Sequence, residues 1–203
     1  MVDQTLLACG VAAGPLFTAA YLLEGASRAD YKPLRHPVSS LTLGRSGYMQ
    51  TVNFLFAASL SLIFAVGLWR AGPSHWGALL IGVWAAGLLG AGVCRTDPVS
   101  GYPVGTPDQL QHPTRTGTLH DLFSLIGFLA LTAACFVFAL SSSPGWALYS
   151  IASGVLFAAT MALASTAFGQ HPRWVALGGL IQRVSLTIGW TWQTLLAVRT
   201  LRG

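Results

Sequence analysis

Charged residues are scarce in this chain of 203 residues: only 8% are Asp, Glu, Lys or Arg, while 53% are hydrophobic. Soluble domains carry about 25% charged residues, which they need to cover a water-facing surface. The composition therefore predicts a polytopic membrane protein. The net charge of +5 comes from Lys and Arg residues scattered singly between apolar runs. Because no basic cluster exists, nucleic acid is excluded as a partner, and anionic lipid headgroups are the expected counter-charge.

The sequence also lacks the motifs of several common enzyme classes. It has no Walker A, GxGxxG, GxSxG or HExxH segment, so phosphate-loop, dinucleotide-binding and hydrolase-elbow sites have no support. The three cysteines stand at no metal-like spacing, which predicts free, packed thiols. The five histidines include no HxH or HxxxH pair. We therefore expect neither a metal site nor another cofactor, although histidines and aspartates are zinc-ligand types.

Long apolar runs are abundant. Crossing ~30 Å of hydrocarbon takes roughly 17–25 apolar residues in a helix. Six windows qualify, at about 4–24, 49–70, 76–94, 118–141, 146–168 and 175–199. Backbone groups in lipid must be hydrogen-bonded within their own segment, so each window is predicted to be helical. The expected fold is an all-α, six-transmembrane-helix bundle that forms a single domain over residues 1–203.

The connections between these windows alternate in length. Those after the second and fourth windows are tight, whereas those after the first, third and fifth are longer and polar. Six crossings place the long loops on one membrane face, together with every acidic residue except Asp3. We predict a polar site that is capped by loops 1–2, 3–4 and 5–6. The expected location is the cell membrane. Arg70, Arg199 and Arg202 at the helix ends favour cytoplasmic termini, whereas the larger number of Lys and Arg residues on the long-loop face favours the reverse orientation.

The loop from Cys94 to Asp121 concentrates the ionisable residues. Asp121 follows His120 at the start of the fourth window. One interpretation is structural: Thr118 caps the helix, and an acid in the first turn stabilises the helix dipole. Against it, ionisable groups at membrane depth usually mark function, and a His–Asp pair supplies a proton donor and acceptor. We predict that Asp121, His120 and Asp97 are catalytic.

Arg183 is expected one or two turns inside the membrane, where its charge requires a partner. Asp121 and Asp97 are the candidate partners, either within a site or as a strut between helices. Arg183 is also a candidate for substrate binding. The other candidates on the same face, or on the stripe below Arg183, are Arg95, Gln182, Arg35, His36, Ser39, Asn53, Tyr102 and Trp190.

Four segments together resemble the bacterial membrane family of domain of unknown function 998. They are RHPVSSL at 35–41, RTDPVSGYPVGTP at 95–107, LHD at 119–121 and QR at 182–183. Cys94 stands where the family often has Phe, and Val104 where it often has Pro. The resemblance implies six helices and one polar site, and it implies no reaction.

We expect an integral membrane enzyme that acts on a lipid-soluble, isoprenoid-like or acyl substrate. Asp/His general acid–base chemistry, such as proton-initiated cyclisation or isomerisation, fits a helix bundle without a metal motif. A metal-assisted membrane lipid hydrolase is one alternative. A non-catalytic lipid-binding or accessory membrane protein is another. The expected partner is a membrane lipid or small hydrophobic substrate.

Overall fold

The computed structural model describes residues 2–202, without the side chains of Val2 and Asp3. Over these residues the chain is all-α and contains no strand, as predicted. The helices are α1 (Val2–Ala26), α2 (Gly47–Ala71), α3 (His75–Val93), α4 (Arg115–Leu140), α5 (Pro144–Phe168) and α6 (Gly178–Arg202). Short 3-10 turns at Val38–Thr42 and Val175–Leu177 interrupt two of the long loops.

Five of the described helices, α1 to α5, are long and apolar enough to cross a membrane. The prediction of a multi-pass membrane protein is therefore confirmed. Helix α6 is equally long, at 25 residues, but it is not among the five. Its polar side chains explain the difference, because Gln182, Arg183 and Gln193 replace apolar residues along its length.

The six helices form a closed ring. Each helix packs against its neighbours in sequence, and α6 completes the ring against α1. Aromatic side chains fill the interior, where the ring of Trp190 lies 5.4 Å from both Phe17 and Trp84. Trp84, Trp190 and Trp192 are all buried. Aromatic side chains therefore pack against one another in the interior of the helix bundle.

Close backbone approaches set the spacing between helices. A Cβ added to Gly87 of α3 would lie 2.7 Å from the Cα of Gly127 in α4. A Cβ on Gly154 of α5 would lie 3.0 Å from the Cβ of Cys135 in α4. Small residues let helices approach in this way without help from the hydrophobic effect. Helices α4 and α5 are thus in direct contact near the tight turn that joins them.

The polar side chains of α6 face the interior of the bundle. Gln193 Nε2 donates to Ser61 Oγ of α2 over 3.2 Å, and Ser185 Oγ donates to the Phe157 carbonyl of α5 over 2.9 Å. Trp192 Nε1 donates to the hydroxyl of Ser150 in α5 over 3.0 Å. These hydrogen bonds fix the rotation of α6 within the ring.

The three long loops contact one another above the ring. The Ser100 carbonyl accepts a 3.0 Å hydrogen bond from Arg35 Nε, and Ser100 Oγ accepts one of 3.1 Å from Gln170 Nε2. Ser100 has a left-handed φ of 57°, and Gly101 beside it has a φ of 76°. Tertiary contacts on both sides hold this strained turn, which brings residues from all three loops together.

A cavity beneath the long loops

A cavity of about 810 Å³ lies inside the ring, directly beneath the long loops. All six helices contribute to its wall, and so do residues 37–39, 96–99 and 109–111 of the loops. The deep part is apolar and includes Phe17, Phe54, Trp84, Phe128, Phe157 and Leu186. The polar lining residues come mainly from the loops and from the upper turns of α4 and α6. The cavity is thus polar near the loops and apolar below.

The cavity reaches the outer surface of the bundle between α4 and α5. Leu125 and Leu129 of α4 line it and are 54% and 61% exposed. Ala158 and Ala162 of α5 also line it and are exposed. The rings of Phe128 in α4 and Phe157 in α5 lie 5.8 Å apart, so the two helices are still in contact halfway along their length. The exposed lining residues give the cavity a lateral opening on the apolar flank of the molecule.

His120 is buried in the wall of this cavity. Its Nδ1 lies 2.8 Å from the carbonyl oxygen of Ala91 and 2.9 Å from that of Cys94. Both acceptors belong to the C-terminal end of α3, where backbone carbonyls lack helical partners. Nδ1 must therefore carry a proton and donate. Nε2 has no hydrogen-bond partner among the described residues, and in the neutral form of the ring it is an unpaired acceptor.

Asp121 also lines the cavity, and its side chain is exposed. Within residues 2–202 its carboxylate makes no hydrogen bond and no ion pair. The helix begins at Arg115 with Thr114 as its N-cap, and its first turn holds no acidic residue. The interpretation of Asp121 as a first-turn acid capped by Thr118 is therefore wrong. A dipole or capping role does not account for this carboxylate.

Asp97, the second carboxylate of the wall, is fully engaged. Its Oδ2 accepts from the backbone N–H of Thr114 over 2.8 Å, and its Oδ1 accepts from Thr114 Oγ1 over 2.6 Å. Thr114 Oγ1 in turn accepts from the N–H of Gly117. A Cβ on Gly117 would lie 2.2 Å from Asp97 Oδ2, so glycine is required there. Asp97 thus ties the end of α3 to the start of α4.

Gln182 and Ser39 complete the predicted residues that reach the cavity. Gln182 Oε1 accepts a 2.8 Å hydrogen bond from the backbone N–H of Val38. This bond joins α6 to the loop after α1, and it leaves the amide nitrogen of Gln182 free to donate. The structure therefore brings Asp121, His120, Asp97, Gln182 and Ser39 to one cavity.

Arg183 does not line the cavity. Its guanidinium group donates to the carbonyls of Pro33, His36 and Gly179 and to the hydroxyl of Tyr31. It also stands 5.6 Å from the ring centres of Tyr21 and Tyr31. The predicted ion pair with Asp121 or Asp97 is wrong. Backbone carbonyl oxygens accept the hydrogen bonds of the guanidinium group in place of the expected carboxylate.

Two more of the predicted residues, His36 and Tyr102, pack together where the loops after α1 and α3 meet. The rings of His36 and Tyr102 lie 5.0 Å apart, and Tyr31 packs against both. Burial lowers the pKa of His36 to about 4, reinforced by the charges of Arg35 and Lys32. Burial also raises the pKa of Tyr31 to about 12 against the opposing effect of a nearby arginine. Both side chains are therefore neutral at physiological pH.

The remaining predicted residues also lie outside the cavity wall. Asn53 Nδ2 donates to the Phe17 carbonyl of α1 over 3.1 Å, which joins α2 to α1. Trp190 is buried in the aromatic core. Arg95 is exposed on the loop. Arg35 donates to Asp108 Oδ1 over 2.8 Å in a partly exposed ion pair.

Comparison with known protein families identifies the family to which this chain belongs. The model of the family described as protein of unknown function (DUF998) matches residues 11–199. The chain belongs to the DUF998 family. The match confirms the resemblance that the sequence motifs indicated. No curated protein matches the DUF998 chain, and no solved structure matches it either.

Within residues 2–202 of this DUF998 protein, no three His, Cys, Asp or Glu side chains lie close enough to hold a metal ion. His112 and His171 are exposed on separate loops. The metal-assisted hydrolase alternative therefore gains no support from the geometry.

The structure of the DUF998 protein contains one ion pair that was not predicted from the sequence. Glu24 and Arg28 pair at the end of α1, with side chains only 4% and 12% exposed. Arg28 also donates to the carbonyls of Leu41 and Leu43 and to the hydroxyl of Tyr102. The i, i+4 spacing of an acid and an arginine is a recognisable signal. Arg28, Arg35 and Arg183 with their loop partners are called the arginine network below.

Proposed function

We propose that this protein is a membrane-embedded enzyme that performs acid–base chemistry on a lipid-soluble substrate. The observation that carries this proposal is Asp121, whose carboxylate lines a cavity without a hydrogen bond or ion pair among residues 2–202, and which directly follows His120 in the same wall. A scaffold protein gains nothing from an unpaired charge at membrane depth, where ionisable groups are costly and usually functional.

We further propose that α6 is a sixth span and that the long loops cap the site. At 25 residues, α6 is long enough to cross the hydrocarbon at about 1.5 Å per residue. Its polar side chains are buried against α2, α5 and a loop. Its exposed positions include Leu180, Val184 and Leu195. The low hydropathy of α6 therefore reflects its inner face, while its outer face suits lipid.

The lateral opening supports a lipid-soluble substrate. A molecule dissolved in the bilayer enters between α4 and α5 without leaving the hydrocarbon. Its apolar part then fills the aromatic lower cavity, and its polar end reaches His120 and Asp121. The wall matches the usual composition of ligand sites, which are mostly apolar with a few convergent polar groups.

In the proposed chemistry, Asp121 and His120 exchange protons with the polar end of the substrate. His120 Nδ1 is fixed on two backbone carbonyls, so the ring keeps one orientation and only Nε2 faces the reaction. A positioned acid or base of this kind contributes about 10²–10⁴-fold to rate. Because Thr114 occupies both oxygens of Asp97, we assign Asp97 to positioning α4 rather than to proton exchange.

One observation favours a second candidate, a non-catalytic lipid-binding protein. The arginine network and Asp97 engage most of the charges near the cavity in internal contacts. Such a protein binds the same lipid in the same cavity and leaves it unchanged. The two candidates therefore differ only in turnover.

Turnover is tested with purified protein in nanodiscs that contain a total membrane lipid extract. Mass spectrometry follows the lipid species over time for wild type, Asp121→Asn and Asp30→Asn. The last variant removes an exposed loop carboxylate that is not part of the cavity wall. We expect wild type and Asp30→Asn to convert one species, and Asp121→Asn to be slower by about 100-fold or more. Conversion at the wild-type rate by Asp121→Asn would contradict the proposal, as would a lipid bound but never converted.

A further inference from the structure

The charges of the cavity wall all have one sign. Two of the six acidic residues, Asp97 and Asp121, line the cavity, and none of the eleven Lys and Arg residues does. This is unexpected in a chain with a net charge of +5. Arg183 and Arg35, which the sequence analysis proposed for the site, contact other groups instead. Arg183 donates to loop carbonyls, and Arg35 donates to the Ser100 carbonyl and to Asp108. The titratable side chains close enough to act on Asp121 are His120 and Asp97.

Asp121 and His120 both offer hydrogen-bond acceptors to the cavity. The carboxylate of Asp121 only accepts hydrogen bonds, and so does Nε2 in the neutral form of His120, in which Nδ1 carries the proton. The oxygens of Asp97 are occupied by Thr114. Asp121 and His120 therefore offer unpaired acceptors and a negative charge, which a cationic hydrogen-bond donor satisfies.

A second pocket shows that the chain does not avoid arginine in pockets generally. It lies at the opposite end of the bundle, has a volume of about 700 Å³, and includes Arg199 and Arg202 in its lining. No acidic residue lines it within the described part of the chain. The two ends of the bundle thus present opposite charges to small molecules.

We infer that the cavity selects an amphiphile whose polar end is a protonated amine. A primary ammonium group has three donors, enough for the Asp121 carboxylate and His120 Nε2 together. An anionic head is repelled by Asp121, and a neutral hydroxyl leaves its charge unpaired. This inference deepens the proposed function, on which it rests, because it names the substrate class of the same site.

The test compares three amphiphiles with the same apolar chain: dodecylamine, dodecanol and dodecanoate. Each is titrated into wild-type protein, Asp121→Asn and Asp30→Asn in a neutral maltoside detergent at neutral pH. Tryptophan fluorescence reports occupancy because Trp84 lines the cavity. Asp121→Asn keeps the shape of the side chain and removes its charge, and Asp30→Asn makes the same net-charge change outside the cavity.

We expect wild type and Asp30→Asn to bind dodecylamine about tenfold or more tightly than either other probe, the scale of one partly buried charge pair. Asp121→Asn is expected to lose this preference. Equal or tighter binding of dodecanoate or dodecanol by wild type overturns the inference. An amine preference that survives in Asp121→Asn overturns it as well, since the charge then acts from elsewhere.

This result is independent of turnover. Amine selectivity without any lipid conversion supports the inference and removes the proposed enzyme in favour of a binding protein. Conversion that depends on Asp121, without amine selectivity, leaves the enzyme and removes the inference.

Discussion

Two polar regions of this molecule lie close together and differ in how their charges are held. In the arginine network, each guanidinium group has at least two protein partners, mostly backbone carbonyls of the loops. In the cavity wall, Asp121 has no hydrogen-bond or ion-pair partner among the residues that the structure describes, and one ring nitrogen of His120 is likewise free. The loops therefore hold the cations away from the cavity, and the carboxylate is left for a ligand.

This difference separates two uses of charge near a membrane. Buried ionic groups with internal partners fix one arrangement of the loops, and breaking them leaves uncompensated charge. An unpaired group contributes little to the fold and is available for binding or chemistry. The variants below test that division.

The largest effect is expected from Arg28→Met. The substitution leaves Glu24 without its ion-pair partner in a buried position, together with three oxygen acceptors from the loops. Breaking one side of a buried pair typically costs about 3–5 kcal/mol. We expect a loss of that size in unfolding free energy, measured by thermal or denaturant unfolding in detergent.

The double variant Glu24→Gln with Arg28→Met provides the control. It removes both charges, so it is expected to be more stable than Arg28→Met alone. Equal losses in the single and double variants would show that the carbonyl contacts of Arg28, rather than its ion pair, carry the stability.

A smaller loss is expected from Arg183→Lys. Lysine keeps the charge but lacks the planar group that reaches several carbonyls and stacks near two tyrosine rings. We expect a cost of about 1–3 kcal/mol. Arg45→Lys, at an exposed arginine, is the matched control and is expected to be neutral. If the two variants unfold alike, the contacts of Arg183 do not stabilise the loop.

The most direct comparison is between variants of the two carboxylates of the cavity wall, Asp97 and Asp121. Asp97→Asn replaces an acceptor of Thr114 N–H with an amide donor, and we expect a loss of about 1–2 kcal/mol. Asp121→Asn removes no protein contact, so its unfolding free energy should stay within about 0.5 kcal/mol of wild type. Comparable destabilisation by both would make Asp121 a structural residue and end the distinction.

Much of the fold could be predicted from the sequence because hydropathy directly determines which segments enter lipid. The six predicted windows correspond to α1–α6, with ends that differ by a few residues. Whether α6 spans could not be decided in this way. Gln182 and Gln193 lower its hydropathy, and only the packed structure shows that they face the interior.

The site was harder to predict because the hydrogen-bond and ion-pair partners of a charged side chain depend on tertiary contacts. A sequence displays acids and arginines but not the carbonyl oxygens that a loop presents, so an acid partner was expected for Arg183. The sequence predicted the start of α4 a few residues too late, at about residue 118. Thr114 and Thr118 are both suitable N-cap residues, and the structure uses Thr114. His120 and Asp121 could be singled out because adjacent ionisable residues inside an apolar helix are costly and usually mark function.

The smallest effect concerns His36 and appears only as a pH dependence. Its pKa is lowered from 6.5 to about 4 in the folded protein, so the unfolded state binds more protons between these values. Its contribution to stability is therefore complete above about pH 6.5 and is lost progressively as the pH falls towards 4. His36→Asn removes this titration while offering an oxygen in place of Nδ1, which accepts a 2.9 Å hydrogen bond from the backbone N–H of Lys32. We expect the melting temperature of this variant to fall less steeply over that window than that of wild type.

His112→Asn, at an exposed histidine, should follow wild type, and parallel slopes for all three proteins would show that His36 is not held neutral by the loop.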